Sequence, residues 1–331
     1  NKLSFLETAQ PSTLTMLNSG ATVNLYLKSK PVNQINAIIG FLPENRQTGG
    51  KLLFTGEALL DLTNAFAGAE NIFVQWQQIQ PKSPRLRLGF AQPYFLRSKF
   101  GIDFSFELFK KDSSFLNLAA RLGAVYNVDA DQTVKVFLQT FSTRLLEVDT
   151  NTIKSTKQLP DILDISNINL GIDYSLNKTD YRNNPRRGWD IFIQTLAGNK
   201  SIKQNSTITQ LKGFSYAGLY DSVKLKGYQL RIKAAINKFF PVGRQSAFKT
   251  AVHAGWFQSN NYFRNELFQI GGYKLLRGFD EESIYATQYL VSTVEYRYLL
   301  QRNAFFHVFS DWAYTNYQTT AYSTFKEYYV S

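Results

Sequence analysis

Alternation with a period of two, sustained over long segments, constrains this chain more than any other feature. In and around residues 168–177, Ile168, Leu170, Ile172, Tyr174 and Leu176 fall on one side, and Asn167, Asn169, Asp173, Ser175 and Asn177 on the other. Successive side chains of a strand project to opposite faces, so this segment has one apolar and one wet surface. Residues 100–110 repeat the pattern, with Ile102, Phe104, Phe106 and Leu108 against Asp103, Ser105 and Glu107. Tyr228, Leu230, Ile232, Ala234 and Ile236 oppose Gln229, Arg231, Lys233 and Asn237, while Leu290, Val294, Tyr296 and Tyr298 oppose Thr293, Glu295 and Arg297. Strands are expected at 34–42, 51–63, 71–79, 84–93, 99–110, 114–127, 132–144, 165–177, 188–198, 223–239, 246–257, 286–300 and 303–315, with the start of another at 322–331. Helical signals are nearly missing.

A soluble sandwich would also alternate. Three features favour an all-β fold of another kind, a transmembrane antiparallel β-barrel. Many of the strands run to roughly 10–14 residues, near what a tilted membrane strand needs and beyond the usual ~5–6 of soluble sheets. Aromatics sit near strand ends, at Tyr94, Phe95, Tyr126, Trp189, Phe239, Phe240, Trp256, Trp312 and Tyr314, as in the girdles that mark membrane interfaces. Short turns such as 127–131 and 241–244 alternate with long polar connections at 143–164, 198–221 and 258–285, the asymmetry of outer-membrane barrels. The turn at 64–70 is expected on the periplasmic side.

Composition agrees only once the pattern is known. Hydrophobic residues make up 44% and charged residues 19%, ordinary values for a soluble protein. Membrane strands are apolar on alternate residues only and leave such averages unchanged. No apolar run approaches the ~20 residues of a spanning helix. Cysteine is absent, which removes disulfides, thiolate catalysis and Cys-ligated metals. The net charge of +12 is scattered singly, without a Lys/Arg block. That scatter suits a cationic lumen or loops facing lipopolysaccharide rather than nucleic acid. The first residues carry no signal peptide, so the chain reads as mature or truncated. Residues 1–32 differ in character: 21–28 contain a short strand that Lys30-Pro31 ends. They read as a periplasmic remnant, and 33–331 as the barrel.

Phe268-Gln269-Ile270-Gly271-Gly272-Tyr273-Lys274-Leu275-Leu276-Arg277-Gly278-Phe279 resembles the sixth extracellular loop of the BamA/TamA superfamily of outer-membrane assembly and translocation barrels, in a form like its Bacteroidetes members. In that family a Gly-Gly pair leads to Arg-Gly-Phe or Arg-Gly-Tyr. Ser292-Thr293-Val294-Glu295-Tyr296-Arg297 resembles the next strand's Glu-Tyr-Arg element, and Phe309-Ser310-Asp311-Trp312 the following Phe-x-Asp element. The turn Asn64-Ala65-Phe66-Ala67-Gly68-Ala69-Glu70 resembles the family's Asn-Phe-Gly-x-Gly-Glu turn, with Ala67 where Gly is usual, and Gln92-Pro93-Tyr94 is also family-like. The resemblance implies sixteen strands, of which about thirteen or fourteen are expected here. The last strands and the periplasmic POTRA domains of the family are not seen, unless residues 1–32 end a POTRA-like domain.

Parity adds a physical reason for the motif. Glu295 shares the non-lipid face with Thr293 and Arg297, and Asp311 shares it with His307, while Phe306, Val308 and Trp312 face lipid. Two carboxylates inside a barrel need a cation. Arg277 supplies one if its loop folds inward, because guanidinium forms a forked bond to carboxylate. Gly271, Gly272 and Gly278 permit tight bends on the way to Arg277 and Phe279.

Enzymatic readings are weaker. His253 and His307 have no metal-ligand spacing. A Ser310–His307–Asp311 hydrolase fails because Ser310 and His307 point to opposite faces. No catalytic residue, metal or cofactor is expected. The resemblance implies insertion of β-barrel proteins through a lateral gate whose first strand is Gln34, Ile35, Asn36, Ala37, Ile38, Ile39, Gly40 and Phe41. Expected partners are outer-membrane lipid and lipopolysaccharide, unfolded outer-membrane protein clients and accessory lipoproteins, without nucleic acid. A two-partner secretion pore and a porin-like transporter are the alternatives.

Overall fold

The computed structural model describes residues 5–17, 20–30, 32–42, 53–78, 82–181, 184–301, 304–319 and 325–331. Two strands, β1 (Leu6–Leu17) and β2 (Gly20–Ser29), pair only with each other. The wall follows: β3 (Gln34–Leu42), β4 (Leu53–Thr63), β5 (Asn71–Gln78), β6 (Arg85–Gln92), β7 (Phe100–Lys111), β8 (Phe115–Asn127), β9 (Gln132–Leu145), β10 (Asp164–Thr179), β11 (Gly188–Lys203), β12 (Lys226–Val242) and β13 (Ser246–Ser259). A small hairpin of β14 (Phe268–Ile270) and β15 (Ile284–Ala286) interrupts it, and the wall resumes with β16 (Gln288–Gln301), β17 (Ala304–Tyr317) and β18 (Phe325–Val330). The wall is one 14-stranded antiparallel sheet in which each strand pairs with the next, β13 passing directly to β16. Parts of the expected strands, residues 51–52, 79, 303 and 322–324, and residues 1–4, 18–19 and 31 of the leading segment lie outside the described residues.

The register shows why alternation governs the fold. Leu122, Leu138 and Leu170 are paired in one row across β8, β9 and β10, and they are 59%, 59% and 55% exposed. One residue away in the same strands, Arg121, Gln139 and Asn169 form the opposite row, where Gln139 and Asn169 are buried. Apolar side chains thus stand outward and polar ones are enclosed, the reverse of a soluble core and what lipid demands. Backbone groups inside the sheet are satisfied by neighbouring strands, as a bilayer requires. Phe239 departs from the expected girdle: it is buried, with the Arg297 guanidinium 5.4 Å from its ring centre. It shares parity with Arg231, Lys233 and Asn237, so its strand position turns it inward.

Several strands outrun their expected ends. β11 reaches Lys203 and β10 and β9 lengthen with it. Beyond the apolar band their side chains seat the long connections. Ile153, Leu163, Ile165, Ile202, Ile208, Tyr216, Tyr220, Val223 and Phe263 form a buried cluster there. The connections are therefore not simply polar. They contain α1 (Thr150–Thr156) and α2 (Ser206–Thr209), capped by the side chains of Asp149 and Asn205. At the leading end the expected short strand is half of the β1–β2 hairpin. Two register shifts, at Thr8/Gln10 and Gln10/Thr13, put the alternation of β1 out of phase and hide it from a period-two reading.

The turn between β4 and β5 forms a closed network. The Glu70 carboxylate accepts backbone N–H groups of Phe66 and Gly68, and Asn64 Oδ1 accepts that of Ala69 at 2.9 Å. Burial pushes the Glu70 carboxyl up, but the backbone donors outweigh it and hold it below the usual range. Ala67 sits at φ +61°, in the left-handed region that costs a residue with a Cβ roughly 1–2 kcal/mol.

Two outcomes test the fold. Ala67→Gly is expected to stabilise the protein by about 1 kcal/mol, less whatever entropy the freer unfolded chain gains, read by chemical unfolding in micelles; a loss of stability contradicts the left-handed assignment. Leu170→Arg is expected to destabilise by roughly 2–4 kcal/mol if Leu170 lies near the midplane. An unchanged folding free energy in bilayers places Leu170 away from lipid.

Candidate functional site

After β13 the chain turns inward. Residues 260–287 run through a 3-10 turn (Arg264–Glu266), then β14, the Gly-rich motif and β15 before rejoining the wall at β16. Apolar packing on the inner surface holds this segment. Ile270 and Leu276 are buried with Val291 and Ala313 of the wall, and Leu267 and Phe268 with Phe257. Gly271 adopts φ +111°, and a Cβ there would meet the Asp280 carbonyl oxygen at 2.4 Å. Only glycine makes that bend without strain. Gly272 follows at φ +100°, and its N–H reaches the Phe279 carbonyl at 3.2 Å, closing the motif on itself. Gly278, at φ +83°, lies against Ser331.

The motif delivers Arg277 to Asp311 and Glu295. Its Nε donates to Asp311 Oδ2 at 2.9 Å and its Nη2 to Asp311 Oδ1 at 2.8 Å, a bidentate fork. Its Nη1 reaches Glu295 Oε2 at 2.6 Å, and its backbone N–H also donates to Asp311 at 3.1 Å. Thr293 Oγ1 fills the remaining demand of Asp311 at 2.7 Å, and Arg297 Nε donates to the other oxygen of Glu295. The Arg277 guanidinium carbon stacks 3.5 Å from the Phe309 ring centre, adding cation–π attraction. The Asp311 and Glu295 side chains are only 0% and 5% exposed. Such burial is tolerable because two guanidinium groups balance two carboxylates and each carboxylate oxygen has a donor. Phe279 packs edge-on to Tyr329 of β18, 5.2 Å between ring centres.

A second anchor escaped the sequence reading. Lys200 of β11 forms a buried ion pair with Glu266 and donates to the Asn261 carbonyl at 2.7 Å. Asn265 Nδ2 donates to Thr143 Oγ1 and to the Leu163 carbonyl, each at 2.8 Å. Arg231 Nη2 donates to the Glu266 carbonyl at 2.6 Å. A third contact lies across the lumen, where Glu282 pairs with Arg85 of β6 at 2.8 Å. The available signal was Arg264-Asn265-Glu266, three polar residues placed just before the apolar run into Gly271.

The histidines stand apart from any such constellation. His307 lies between the rings of Phe305 and Phe309, and Ser310 Oγ donates to the Ser331 carbonyl at 3.2 Å. Asp311 is engaged by Arg277 instead. The expected gate residues, Gln34 to Phe41, form β3, which pairs with β4 and has no second strand neighbour among the described residues.

Breaking the lock has a defined expectation. Arg277→Ala leaves two buried carboxylates without their shared cation and should cost roughly 2–5 kcal/mol where the site is dry, less where water enters. Arg277→Lys should recover only part, since an ammonium cannot make the planar fork. Chemical unfolding of the three proteins checks this; equal stability of Arg277→Ala and the parent would remove the lock as a structural element.

Against known proteins, a family model described as the Omp85 superfamily domain matches residues 64–329. No curated protein sequence matches. Among solved structures, BamA from Haemophilus ducreyi lacking POTRA domains 1–3 is 14% identical, with a TM-score of 0.55 over 94% of this chain and 63% of that one. CdiB from Acinetobacter baumannii is 12% identical, TM-score 0.57, over 96% and 57%. CdiB from Escherichia coli is 12% identical, TM-score 0.57, over 99% and 61%. These likenesses are of fold, and the chain spans about 57–63% of the structures it matches.

Proposed function

Because this chain belongs to the Omp85 superfamily of outer-membrane barrels that insert or translocate proteins, we propose that it is an assembly factor that inserts other β-barrel proteins through a lateral gate at β3. The observation that carries the reading is β3 itself, a short wall strand containing Gly40 to which no part of the inner segment bonds among the described residues. One side of it is hydrogen-bonded to β4, and the other has no strand partner among the described residues. Ile35, Ile38 and Ile39 are 77%, 68% and 83% exposed. A strand edge of unpaired N–H and C=O groups templates an incoming strand by β-augmentation. Gly40 lies in that edge, and glycine weakens strand pairing. No covalent chemistry is needed.

The segment that crosses the lumen argues against the two alternatives. A porin needs an aqueous path, and here residues 260–287 cross the interior from Asp311 on one side to Arg85 on another. Export through the lumen would require that segment to leave, breaking the Arg277, Lys200 and Glu282 contacts together. In this reading the partners are unfolded outer-membrane proteins, the surrounding lipid and lipopolysaccharide, and accessory lipoproteins. The β1–β2 hairpin, which is not part of the wall sheet, is in this proposal the end of a periplasmic POTRA-like domain.

The test is a disulfide between β3 and the strand that faces its free edge in the whole protein. Oxidised protein should stay folded and lose insertion of a client barrel into liposomes, with reduction restoring it. Undiminished insertion by the crosslinked protein rules out the gate. A steady conductance combined with unaltered levels of other outer-membrane proteins on depletion would favour a porin.

A further inference from the structure

We propose that the space between the inner segment and the wall is a binding site for a small phosphate-type anion that also carries hydroxyl groups. The cavity has a volume of 410 Å³ and is walled by β6 to β12 on one side and by the inner segment, including Phe268, Gln269 and Glu282, on the other. Five cations line it, Arg85, Arg87, Arg121, Arg231 and Lys233, against two carboxylates, Glu107 and Glu282. Both carboxylates are already engaged. Arg85 pairs with Glu107 at 3.2 Å and with Glu282 at 2.8 Å, and Arg87 approaches Glu107 at 3.5 Å.

That leaves three cations without an ion-pair partner among the described residues. Arg121 donates Nε to the neutral Gln139 side chain, and Arg231 donates Nη2 to a backbone carbonyl. Lys233 has no hydrogen-bond acceptor among the described residues; its ammonium stands 5.4 Å from the Phe268 ring centre. The charges that act on Lys233 are those of Arg231, Arg121 and Arg87, opposed by Glu107. Asp173, Glu107 and Asp103 offset part of the charge of Arg121, and Glu266 part of that of Arg231; the like charges that remain repel across the cavity, and a bound anion relieves that repulsion. Two guanidinium groups and an ammonium are the donors that suit phosphate oxygens.

A second observation narrows the class. Asn167 Oδ1 and Gln269 Oε1 belong to residues lining the same cavity, and both are acceptors without a donor among the described residues, covered from the cavity so that a small side-chain rotation must turn them toward it. Buried acceptors of this kind call for O–H donors. Hydrogen phosphate, or a phosphomonoester bearing hydroxyls, offers acceptors to the cations and donors to these amides, whereas chloride offers no donor. Bound there, it joins the inner segment to β6–β12 without touching the Arg277 lock. The site does not depend on whether the protein assembles or exports its clients.

The test uses the full-length protein in detergent micelles, melted at rising inorganic phosphate, with sodium chloride at matched ionic strength alongside. Phosphate is expected to raise Tm along a saturating curve, and chloride is not. Lys233→Gln should shift the phosphate midpoint about tenfold higher, the loss of one charge-assisted contact, while the barrel still shows its heat-dependent mobility on gels. Arg121→Gln should act the same way, which guards against a fold defect peculiar to one variant. Diphosphorylated lipid A in mixed micelles separates the sources of phosphate, because acyl chains cannot follow a headgroup into the lumen. An equal rise with chloride, an unmoved midpoint in both variants, or a rise with lipid A and none with free phosphate would each overturn the proposal.

Discussion

The interior of this barrel is organised by one arginine. Arg277 satisfies two buried carboxylates from adjacent strands, Asp311 of β17 and Glu295 of β16. Without it Asp311 loses its cation and Glu295 is left with Arg297, and Arg277 could not reach them unless the loop turned back through Gly271 and Gly272. The bend, the packing of Ile270 and Leu276, and the wall's own charge pattern are therefore one arrangement seen from three sides. A buried ion network of this sort fixes the placement of the segment through the geometry of its forked bonds.

The inner segment is held at several distant points. Glu266 and Asn265 secure it to β9 and β11, and Glu282 secures it to β6. Strands far apart in the sheet order are thus connected through the lumen. Among the wall strands themselves, side chains bridge only short spans of the sheet, as Asn167 and Asn169 of β10 do to Gln229 of β12 and Lys135 of β9 does to Asp103 of β7. The inner segment thus adds polar ties between strands that the backbone ladders do not join. The interior can remain cationic because its charges are divided between those that hold the inner segment and those that border the cavity.

The fold was legible because lipid enforces the alternation everywhere along the wall. Ile168, Leu170 and Ile172 stand outward as their parity requires, and the expected strands correspond to elements from β3 to β18. The same rule would have placed Phe239 inside, and reading it as a girdle residue from its nearness to a strand end set the rule aside. β1 was invisible because its bulges shift the phase. The lumen residues were legible unevenly. Glu295 and Asp311 lie in long regular strands, so parity fixed their direction and the motif order supplied their cation. Lys200 and Glu266 meet only because a loop folds back over a strand 66 residues away, and no local period records such a meeting. The apolar cluster around Tyr220 was missed for a related reason, since irregular segments bury residues without any fixed spacing.

β3 and β18 are secured to very different degrees. β18 is joined to the lock itself: the Asp311 N–H and the Ser331 carbonyl exchange a 2.9 Å bond, and the Ser331 N–H returns one to the Asp311 carbonyl at 2.9 Å. Gly278 rests on Ser331, and Phe279 packs on Tyr329. Disturbing Arg277 therefore disturbs β18 at once. β3 has no such support. It is one strand from β4, its isoleucines are exposed, and nothing of the inner segment bonds to it among the described residues. A strand held by a single ladder opens at the cost of that ladder alone, whereas a strand bound to the lock opens only if the lock opens too. The lock and the β17–β18 ladder therefore form one cooperative unit, whereas among the described residues β3 is coupled to the rest of the wall through β4 alone.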